Sequence, residues 1–434
     1  MSPMKTDRSI SLRLHAEPAW IPMVQGMAEQ SGLVLGLDQA KALRLTMAVE
    51  EILAYLSELT PGAPLELTLA QGASHVDTVF SFTANDADLW AMNITACGAT
   101  CAEDNLQAMG LLLAARMSDG MEVRRDGVSV VLRLRMDRSY PQQEIEAAER
   151  FPARGRLRFE PALDPARIKK ACALARALYP DEFVPAGFGT PGKIVDQLLA
   201  GELFGALALD EGGAVAGMIT WEHSSATSVS FCGPYIFVLG ESPAPRGLTD
   251  HMLSAVARTQ VSAILSRLPT EELPQDSFEL LGSLPLTATD GTARPLPVWF
   301  RSMGEDNGLS VWTHPALEDF LRQTYDRLFL MRDVHSTTRQ GEDVSGRSVF
   351  STAIRPEASQ ALLTPMLDGA DAESTLQSHV ELLLSEGYRN ILIHIDLAQG
   401  WQATLIPVLL TTGFTPRLVL PHAGQSDMVV LQYA

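Results

Sequence analysis

Residues 141–154 form a polar segment that divides this chain into two parts with different patterns. Most of its side chains are amides or charged groups, namely Gln142, Gln143, Glu144, Glu146, Glu149 and Arg150. A run of this composition is typical of a solvated linker at a domain boundary. Since 434 residues suffice for about three domains, we predict domains at 1–140, 155–300 and 301–434, with the linker at 141–154.

The part before the linker alternates β-rich runs with amphipathic helices. Strands are predicted at 10–14, 65–69 and 76–83, and helices at 38–59 and 105–117. In the helix 38–59 apolar residues, including Leu43 and Met47, recur mostly at steps of three and four, and Asp38 is the expected N-cap. The pair Asp126-Gly127 between two β-rich runs predicts a hairpin turn.

The part after the linker suggests a repeated order of elements. Strands are predicted at 204–209, 214–222 and 228–238, followed by a helix at 249–266 that Thr249 or Asp250 would cap. A helix that stops at a glycine then precedes closing strands twice, at 275–282 and at 402–413. This shared order predicts a tandem duplication.

Composition excludes several classes of partner. The formal net charge of −19 disfavours nonspecific binding to nucleic acid or to an anionic membrane, because phosphates would repel this surface. No run reaches the roughly 18 apolar residues of a membrane span, and the first residues lack a signal-peptide core. The four cysteines are unevenly spaced and show no disulfide pairing pattern, which favours a reducing compartment. We therefore expect a cytoplasmic protein that binds neither nucleic acid nor membrane.

Residues 45–53 (Leu-Thr-Met-Ala-Val-Glu-Glu-Ile-Leu) and 110–113 (Gly-Leu-Leu-Leu) resemble the anti-sigma-factor ATPase domain. The resemblance covers about residues 8–137 and implies a two-layer α/β sandwich of the GHKL type. Members of that family act as protein kinases on their partners. Their helix carries a Glu that activates the attacking group and, four residues later, an Asn that holds Mg²⁺.

The nucleotide motifs of that family are damaged here. Glu51 is present, but Tyr55 occupies the position of the Asn, and a phenol is a poor Mg²⁺ ligand. The stretch 83–88, which corresponds to the family's Asp-x-Gly-x-Gly motif, contains no glycine, and only Gly110 remains of the glycine-rich lid. We expect neither ATP binding nor phosphotransfer, and the alternative reading of Glu51 is a solvated helix surface. The domain would then serve in protein recognition or dimerisation, so its partner would be another protein or a second copy of the chain.

Residues 156–434 resemble a GNAT acyltransferase, and three passages carry the likeness. They are residues 213–219 (Gly-Ala-Val-Ala-Gly-Met-Ile), residues 245–249 (Pro-Arg-Gly-Leu-Thr), and residues 410–416 together with the closing strand 427–433. The expected fold class is therefore α/β (α+β), a GHKL-type sandwich followed by tandem GNAT-like mixed-sheet domains.

The resemblance implies acetyl-CoA or another acyl-CoA as cofactor. A helix N-terminus with glycines and an Arg suits its phosphates, because free N–H groups and positive charge attract anions. The expected cofactor-binding residues are Val238, Arg246, Gly247 and Thr249, although Thr249 replaces a glycine of the family pattern and His251 replaces its last small residue. The alternative is an ordinary capped loop that enters a helix.

Acyl transfer to an amine needs a base and, in this family, often a Tyr as acid. That Tyr is absent from its usual place before the late Gly-Phe, where Phe278 and Leu409 stand in the two copies. Glu222 or His223 is the candidate base and Tyr235 the candidate acid, with solvent-exposed strand-end residues as the alternative reading. No Cys or His spacing predicts a metal site.

Two functions from different classes follow. One is a regulatory fusion in which a degenerate ATPase-like sensor accompanies an acyl-CoA-dependent N-acyltransferase region. The other is a non-enzymatic signalling regulator in which two pseudoenzyme modules bind proteins.

Overall fold

The computed structural model describes residues 8–83, 89, 93–97, 106–126, 128–287, 291–339, 344 and 346–433. The chain forms helices together with several β-sheets, so the predicted mixed α/β class is confirmed. The chain divides into two compact units. The first contains Met1–Ser139, Gly341–Thr352 and Thr364–Leu382, and the second contains Tyr140–Gln340, Ala353–Leu363 and Leu383–Ala434. Within the described part of the chain, no helix combines the length and the apolar character that a membrane span requires.

The first unit is built on a five-stranded sheet with strand order β1-β2-β3-β5-β4, in which all neighbours are antiparallel. Its elements are β1 (Ser9–His15), α1 (Ile21–Val34), α2 (Gln39–Leu59), β2 (Pro64–Gln71), β3 (His75–Thr83), α3 (Leu106–Met117), β4 (Gly120–Asp126) and β5 (Ser129–Asp137). Strands β4 and β5 form the predicted hairpin, with Asp126 opposite Ser129.

Helix α2 joins the sheet to the other helices through one buried stripe. The Asp38 carboxylate accepts a hydrogen bond from Lys41 N at 2.8 Å, which confirms the predicted N-cap. Buried side chains recur along the helix at Leu45, Val49, Ile52, Leu53 and Leu56. The expectation that Leu43 and Met47 share this stripe was wrong, since they are 53% and 42% exposed. The two residues lie beside the stripe because each residue turns the helix by about 100°.

Residues from the late part of the chain complete the first unit. The buried amide of Asn93 donates to Ser348 O at 2.9 Å, and its Oδ1 accepts from Phe350 N at 2.9 Å. Between these two bonds Val349 is fully buried in the same apolar core as α2 and the sheet. The Asp371 carboxylate holds Ser348 from the other side, accepting from its backbone N–H at 2.6 Å and its hydroxyl at 2.8 Å. The first unit is therefore discontinuous in sequence.

The second unit is built on a seven-stranded sheet with strand order β11-β12-β10-β9-β8-β7-β6. Its strands and helices are β6 (Arg158–Pro161), α4 (Pro165–Leu178), α5 (Pro191–Ala200), β7 (Phe204–Leu209), β8 (Val215–His223), β9 (Ser228–Ile236), α6 (Ala244–Val256), β10 (Ala263–Pro269), β11 (Glu279–Thr287) and β12 (Ala293–Ser302). Strands β9 and β10 run parallel, whereas every other neighbouring pair in this sheet is antiparallel.

The last third of the chain adds smaller elements. They are β13 (Leu309–Thr313), α7 (Pro315–Leu328), β14 (Arg332–Ser336), β15 (Val349–Arg355), β16 (Gln360–Leu367), α8 (Ala372–Ser385), β17 (Asn390–Asp396), α9 (Gly400–Ala403), α10 (Ile406–Thr412), β18 (Phe414–Leu420) and β19 (Met428–Tyr433). Strands β13 and β14 pair in parallel, while β19 lies between β17 and β18 and is antiparallel to both.

Two predicted helices differ from the observed elements. The helix expected at 275–282 is a short 3-10 turn, Gln275–Ser277, followed by strand β11. Residues of β11 pair with β12, and alternate apolar side chains are buried, so long-range pairing determines the conformation here. The helix expected at 249–266 runs instead over α6 and gives way to β10. The prediction of a duplication used a helix at 275–282 as the first copy of the helix at 402–413, and that first helix is absent from the described residues. The division of 155–434 into two GNAT-like domains stays a prediction.

A buried ion pair holds β14 to the start of β19. The Arg332 side chain is fully buried and lies 2.6 Å from both Asp427 Oδ2 and Asp306 Oδ2. The guanidinium also stacks over the Tyr325 ring, 5.6 Å from its centroid. A guanidinium taken out of water requires such partners, because an unpaired buried charge is very costly.

Replacing Arg332 by Met should lower the free energy of unfolding by about 3–5 kcal/mol, since the change leaves two neighbouring carboxylates without a counter-charge. Arg322→Met is the matched control, because Arg322 forms an exposed pair with Glu318 and its loss should cost less than about 1 kcal/mol. Urea unfolding of both variants measures the difference, and equal losses would contradict the assignment.

Glycine at position 247 allows α6 to approach β6 closely. A Cβ atom there would lie 2.0 Å from Cζ of Phe159, a residue of β6. On the same helix Leu248, Met252 and Val256 are buried. The small residue is therefore required by packing between the helix and the sheet.

The variant Gly247→Ala should be destabilised by about 1–3 kcal/mol, because the added methyl overlaps the Phe159 ring. Gly26→Ala is the control: Gly26 lies in α1 with no atom within 4 Å of the added Cβ, and the change should stabilise by up to about 1 kcal/mol. Denaturant unfolding gives both values. A neutral Gly247→Ala variant would mean that α6 is not held against Phe159.

Candidate functional site

The candidate site lies where β9 and β10, the two parallel neighbours in the seven-stranded sheet, cease to pair. Pairing between β9 and β10 runs from Ser228 opposite Ala263 to Gly233 opposite Pro269. Thr270 extends the contact by one residue, since its hydroxyl donates to Pro234 O at 2.6 Å. Beyond this point β9 continues to Ile236, paired with β8 but no longer with β10, and the chain then enters α6. In open α/β sheets ligands bind outside the carboxyl ends of parallel strands, so a ligand is expected at this end of the sheet.

Arg246 is the exposed charge in the first turn of α6. Its guanidinium Nη2 lies 2.5 Å from Asp276 Oδ2, and Nη1 donates to Ser277 Oγ at 3.4 Å. The pairing raises the pKa of Arg246 and lowers the pKa of the Asp276 carboxyl. Asp276 and Ser277 lie in the turn that follows β10. An anion that binds Arg246 must therefore compete with a carboxylate of the same chain.

The N-terminus of α6 offers few backbone donors. The helix begins after Pro243 without a side-chain cap, and Pro245 in its first turn has no N–H group. The Ala244 N–H donates to Ser242 Oγ at 3.2 Å, and the Gly247 N–H donates to Pro243 O at 2.9 Å. Among the described residues, the Arg246 N–H has no hydrogen-bond acceptor, so it is the backbone donor that this turn can offer to a ligand.

The other predicted cofactor-binding residues are buried. Val238 is 2% exposed, and Thr249 is fully buried in the middle of α6, so it is not the N-cap that the sequence predicted. The Thr249 hydroxyl has no partner among the described residues. Gly247 faces Phe159. Of the predicted set, Arg246 is the residue that presents its side chain to solvent.

Of the three predicted catalytic residues, Glu222 and His223 are adjacent at the end of β8, whereas Tyr235 lies on β9. Glu222, at the end of β8, forms an ion pair with Arg267 of β10 and stands opposite Ser230 of β9. His223 is exposed beside it, with its ring 6.0 Å from the Phe204 ring. Tyr235 lies five residues beyond Ser230 along β9, fully buried, and its hydroxyl donates to Phe183 O at 2.8 Å. Burial raises the pKa of this phenol well above its usual value.

A different group of side chains meets at the β9–β10 end, and sequence reasoning missed it. The Tyr179 hydroxyl accepts a hydrogen bond from Ile236 N at 2.7 Å and donates to Glu272 Oε1 at 2.8 Å. Arg150 Nη2 donates to the same oxygen at 2.8 Å and its guanidinium lies 5.5 Å from the centroid of the Tyr179 ring. Burial raises the Tyr179 pKa above its usual value. The sequence signal that could have pointed here is the acidic pair Glu271-Glu272, which begins two residues after the end of β10.

A pocket of about 200 Å³ lies beside the turn that joins α4 and α5. Arg176, Asp181 and Glu357 line it together with the backbone near Gly189. Both signs of charge are present, so the pocket does not select an anionic ligand.

The predicted degenerate nucleotide residues lie in the first unit. Burial, followed by the nearby Glu50, raises the pKa of the Glu51 carboxyl. Gly110 packs on this side chain, since a Cβ there would lie 2.8 Å from Glu51 Oε2. Tyr55, in place of the metal-binding Asn, is 6% exposed and part of the apolar core. Residues 84–88, which belong to the stretch expected to match the adenine-binding motif, lie outside the described residues.

Residues 8–83, 89, 93–97, 106–126, 128–287, 291–339, 344 and 346–433 contain no group of three or more His, Cys, Asp or Glu side chains placed to hold a metal ion. Cys101 lies outside this set, as does the side chain of Cys97. Cys172 and Cys232 are buried free thiols, and burial raises the pKa of both.

The sequence matches no protein-family profile and no curated protein. Solved structures that the chain is similar to include a putative acetyltransferase from Acinetobacter baylyi ADP1, at 12% identity and a TM-score of 0.29, over 34% of this chain and 93% of that one. Another is a GNAT superfamily phosphinothricin acetyltransferase from Sinorhizobium meliloti in complex with acetyl-CoA, at 14% identity and a TM-score of 0.30, over 35% and 90% of the two chains. A third is yncA, a putative acetyltransferase from Salmonella typhimurium with its cofactor acetyl-CoA, at 13% identity and a TM-score of 0.28, over 35% and 96%. The likeness to these acetyltransferases extends over about a third of this chain.

Proposed function

We propose that the second unit binds an acyl-CoA thioester at the β9–β10 end and transfers its acyl group to an amine, as a GNAT-like N-acyltransferase region. The observation that carries the proposal is the position of Arg246. Its exposed guanidinium lies in the first turn of the helix that follows β9, the strand that extends beyond the end of its parallel pairing with β10. Positive charge at a helix N-terminus beyond parallel strands suits a diphosphate.

Ligand binding at this site has to displace one interaction. Asp276 neutralises Arg246 in the described structure, so phosphate oxygens would replace the carboxylate on the same guanidinium. Such an exchange keeps the cation paired and returns Asp276 to water. The proposal therefore includes weak binding by the unmodified protein, because a local carboxylate competes with the ligand.

The reaction requires the amine nitrogen to lose a proton, attack the thioester carbon and release the thiolate, which is then protonated. Glu222 or His223 remains the proposed base and Tyr235 the proposed acid. In the described conformation Glu222 is paired with Arg267 and Tyr235 with a backbone carbonyl. Both groups would have to exchange these partners before they could take part in proton transfer.

For the first unit we propose a regulatory role without phosphotransfer. The burial of Tyr55 supports this proposal, since a phenol packed in the core cannot act as a Mg²⁺ ligand. Its partner would be another protein or a second copy of the chain, and we place the protein in the cytoplasm.

Arg246→Glu should weaken acetyl-CoA binding by at least about tenfold, because it places a negative charge next to the phosphates. Asp276→Asn should strengthen binding by roughly two- to fivefold, since it removes the competing carboxylate but keeps a similar side-chain shape. Isothermal titration calorimetry at low ionic strength measures both changes.

Arg258→Glu is the control for this experiment, because it changes the net charge equally but lies beyond the opposite end of α6. It should bind acetyl-CoA nearly as the unmodified protein does. If Arg246→Glu and Arg258→Glu bind equally, the site is elsewhere. If Asp276→Asn binds more weakly, the proposed competition is absent.

A second function, a non-enzymatic regulator, is favoured by a separate observation. Glu222 is paired with Arg267 and Tyr235 with a backbone carbonyl in this conformation, which leaves exposed His223 as the proposed base that no ion pair or hydrogen bond among the described residues holds. If this alternative holds, acetyl-CoA mixed with the protein and a panel of primary amines should release free thiol no faster than buffer does. Thiol release that is lost in Glu222→Gln would rule the alternative out.

A further inference from the structure

Residues 140–155, which we call the strap, run over the second unit almost without helix or strand. Side chains and backbone groups fix the strap at intervals. Tyr140 donates its hydroxyl proton to Asp196 Oδ2 at 2.6 Å, and the Gln143 N–H donates to Gly189 O at 2.9 Å. The Arg154 N–H donates to Asp210 Oδ2 at 3.1 Å. The expected linker is therefore an ordered part of the unit that contains the proposed site.

Towards the end of the strap, Phe151 forms an isolated β-bridge with the chain beyond β9. Its N–H donates to Phe237 O at 3.1 Å, and its carbonyl accepts from Leu239 N at 2.9 Å. These bonds form a parallel bridge between Phe151 and Val238. The bridge occupies the backbone just beyond β9, in the segment that leads to the proposed anion-binding turn.

Arg150 fixes this bridge to the end of β10. It forms an ion pair with Glu272, at 2.8 Å, and Glu272 in turn accepts from the Tyr179 hydroxyl. Tyr179 also binds the Ile236 backbone. The strap thus links the chain beyond β9 to the turn after β10. Its Phe151 backbone provides hydrogen-bond partners for Phe237 O and Leu239 N, which lie beyond the end of the β9–β10 pairing.

We propose that the strap is an autoinhibitory latch, in which Arg150 and Glu272 hold Phe151 over the ligand site at the end of β9 and β10. This inference rests on the proposed function, because the latch regulates that same site. An acyl-CoA that reaches Arg246 from the strand ends must first displace Phe151 from Phe237 and Leu239. Separation of the ion pair releases the strap and opens the site.

The clamp is suited to reversible opening. The Arg150 side chain is 36% exposed and that of Glu272 is 22% exposed, so solvent reaches the pair and moderates its strength. Glu272 Oε2 is buried without a donor among the described residues, which leaves half of the carboxylate unsatisfied when the latch is closed. The Phe151 side chain is half-buried and packs against two apolar clusters of the second unit. A few local contacts, and no regular ladder, therefore keep the strap in place.

Two variants open the latch by different changes, Arg150→Ala and Glu272→Gln. Arg158→Ala is the matched control, because Arg158 is exposed on β6, just after the strap, and pairs with Glu160 of the same strand. Hydrogen exchange of the Leu239 amide, which donates to Phe151 O, reports opening directly and needs no ligand. Calorimetric titration with acetyl-CoA reports access to the site.

In both latch variants we expect exchange at Leu239 to accelerate by about tenfold or more and acetyl-CoA to bind about five- to tenfold more tightly, since less of the population is closed. Arg158→Ala should change neither value. Glu272→Gln keeps the size of the side chain and a hydrogen-bond acceptor for Tyr179, so it also tests the latch if Arg150→Ala folds poorly.

Several results would overturn the latch. Unchanged exchange at Leu239 in both variants would show that the clamp does not hold the strap. Faster exchange without tighter binding, in a protein that binds acetyl-CoA through Arg246, would refute the latch while the proposed function stands. Failure of the unmodified protein and of both opened variants to bind acetyl-CoA would refute the proposed function, and the latch with it.

Discussion

The parallel pairing of β9 with β10 is the constraint on which the second unit depends. It is the one parallel contact in a sheet whose other neighbours are antiparallel, and it ends at Gly233 and Pro269 while β9 continues. Backbone groups beyond that point need other partners, because unpaired buried amides are costly. Thr270, Tyr179 and Phe151 provide them. The features that suggest a ligand site and those that close it therefore have the same origin in the sheet.

Local patterns predicted the elements whose conformation is decided locally. The Asp38 cap and the hairpin at Asp126 were predicted correctly, since a side chain and a turn a few residues long determine each of them. Strand β11 was mistaken for a helix, because the pairing that makes it a strand involves β12, which follows it in sequence. Thr249 was taken for a helix cap although α6 begins earlier, after a proline that offers no capping side chain.

The candidate site shows the same limit in its charges. The sequence singled out Arg246 as a cation for a phosphate-binding loop before the helix, whereas the residue lies exposed in the first turn of α6. It gave no sign that Asp276, thirty residues later, neutralises this cation, nor that Arg150 in the expected linker reaches Glu272. A net charge of −19 describes the whole surface but not which carboxylate lies beside which guanidinium. Such pairs follow from the fold, so they cannot be read from composition or spacing.

The discontinuity of the first unit has a consequence for synthesis. Val349 belongs to its core, and the Asn93 amide forms hydrogen bonds with the backbone of Ser348 and Phe350. When translation has reached residue 139, the core of this unit still lacks Val349, and the Asn93 amide still lacks the backbone of Ser348 and Phe350. More than two hundred further residues must be translated before these native contacts can form. During that interval this part of the chain presents apolar and polar surface that chaperones can recognise.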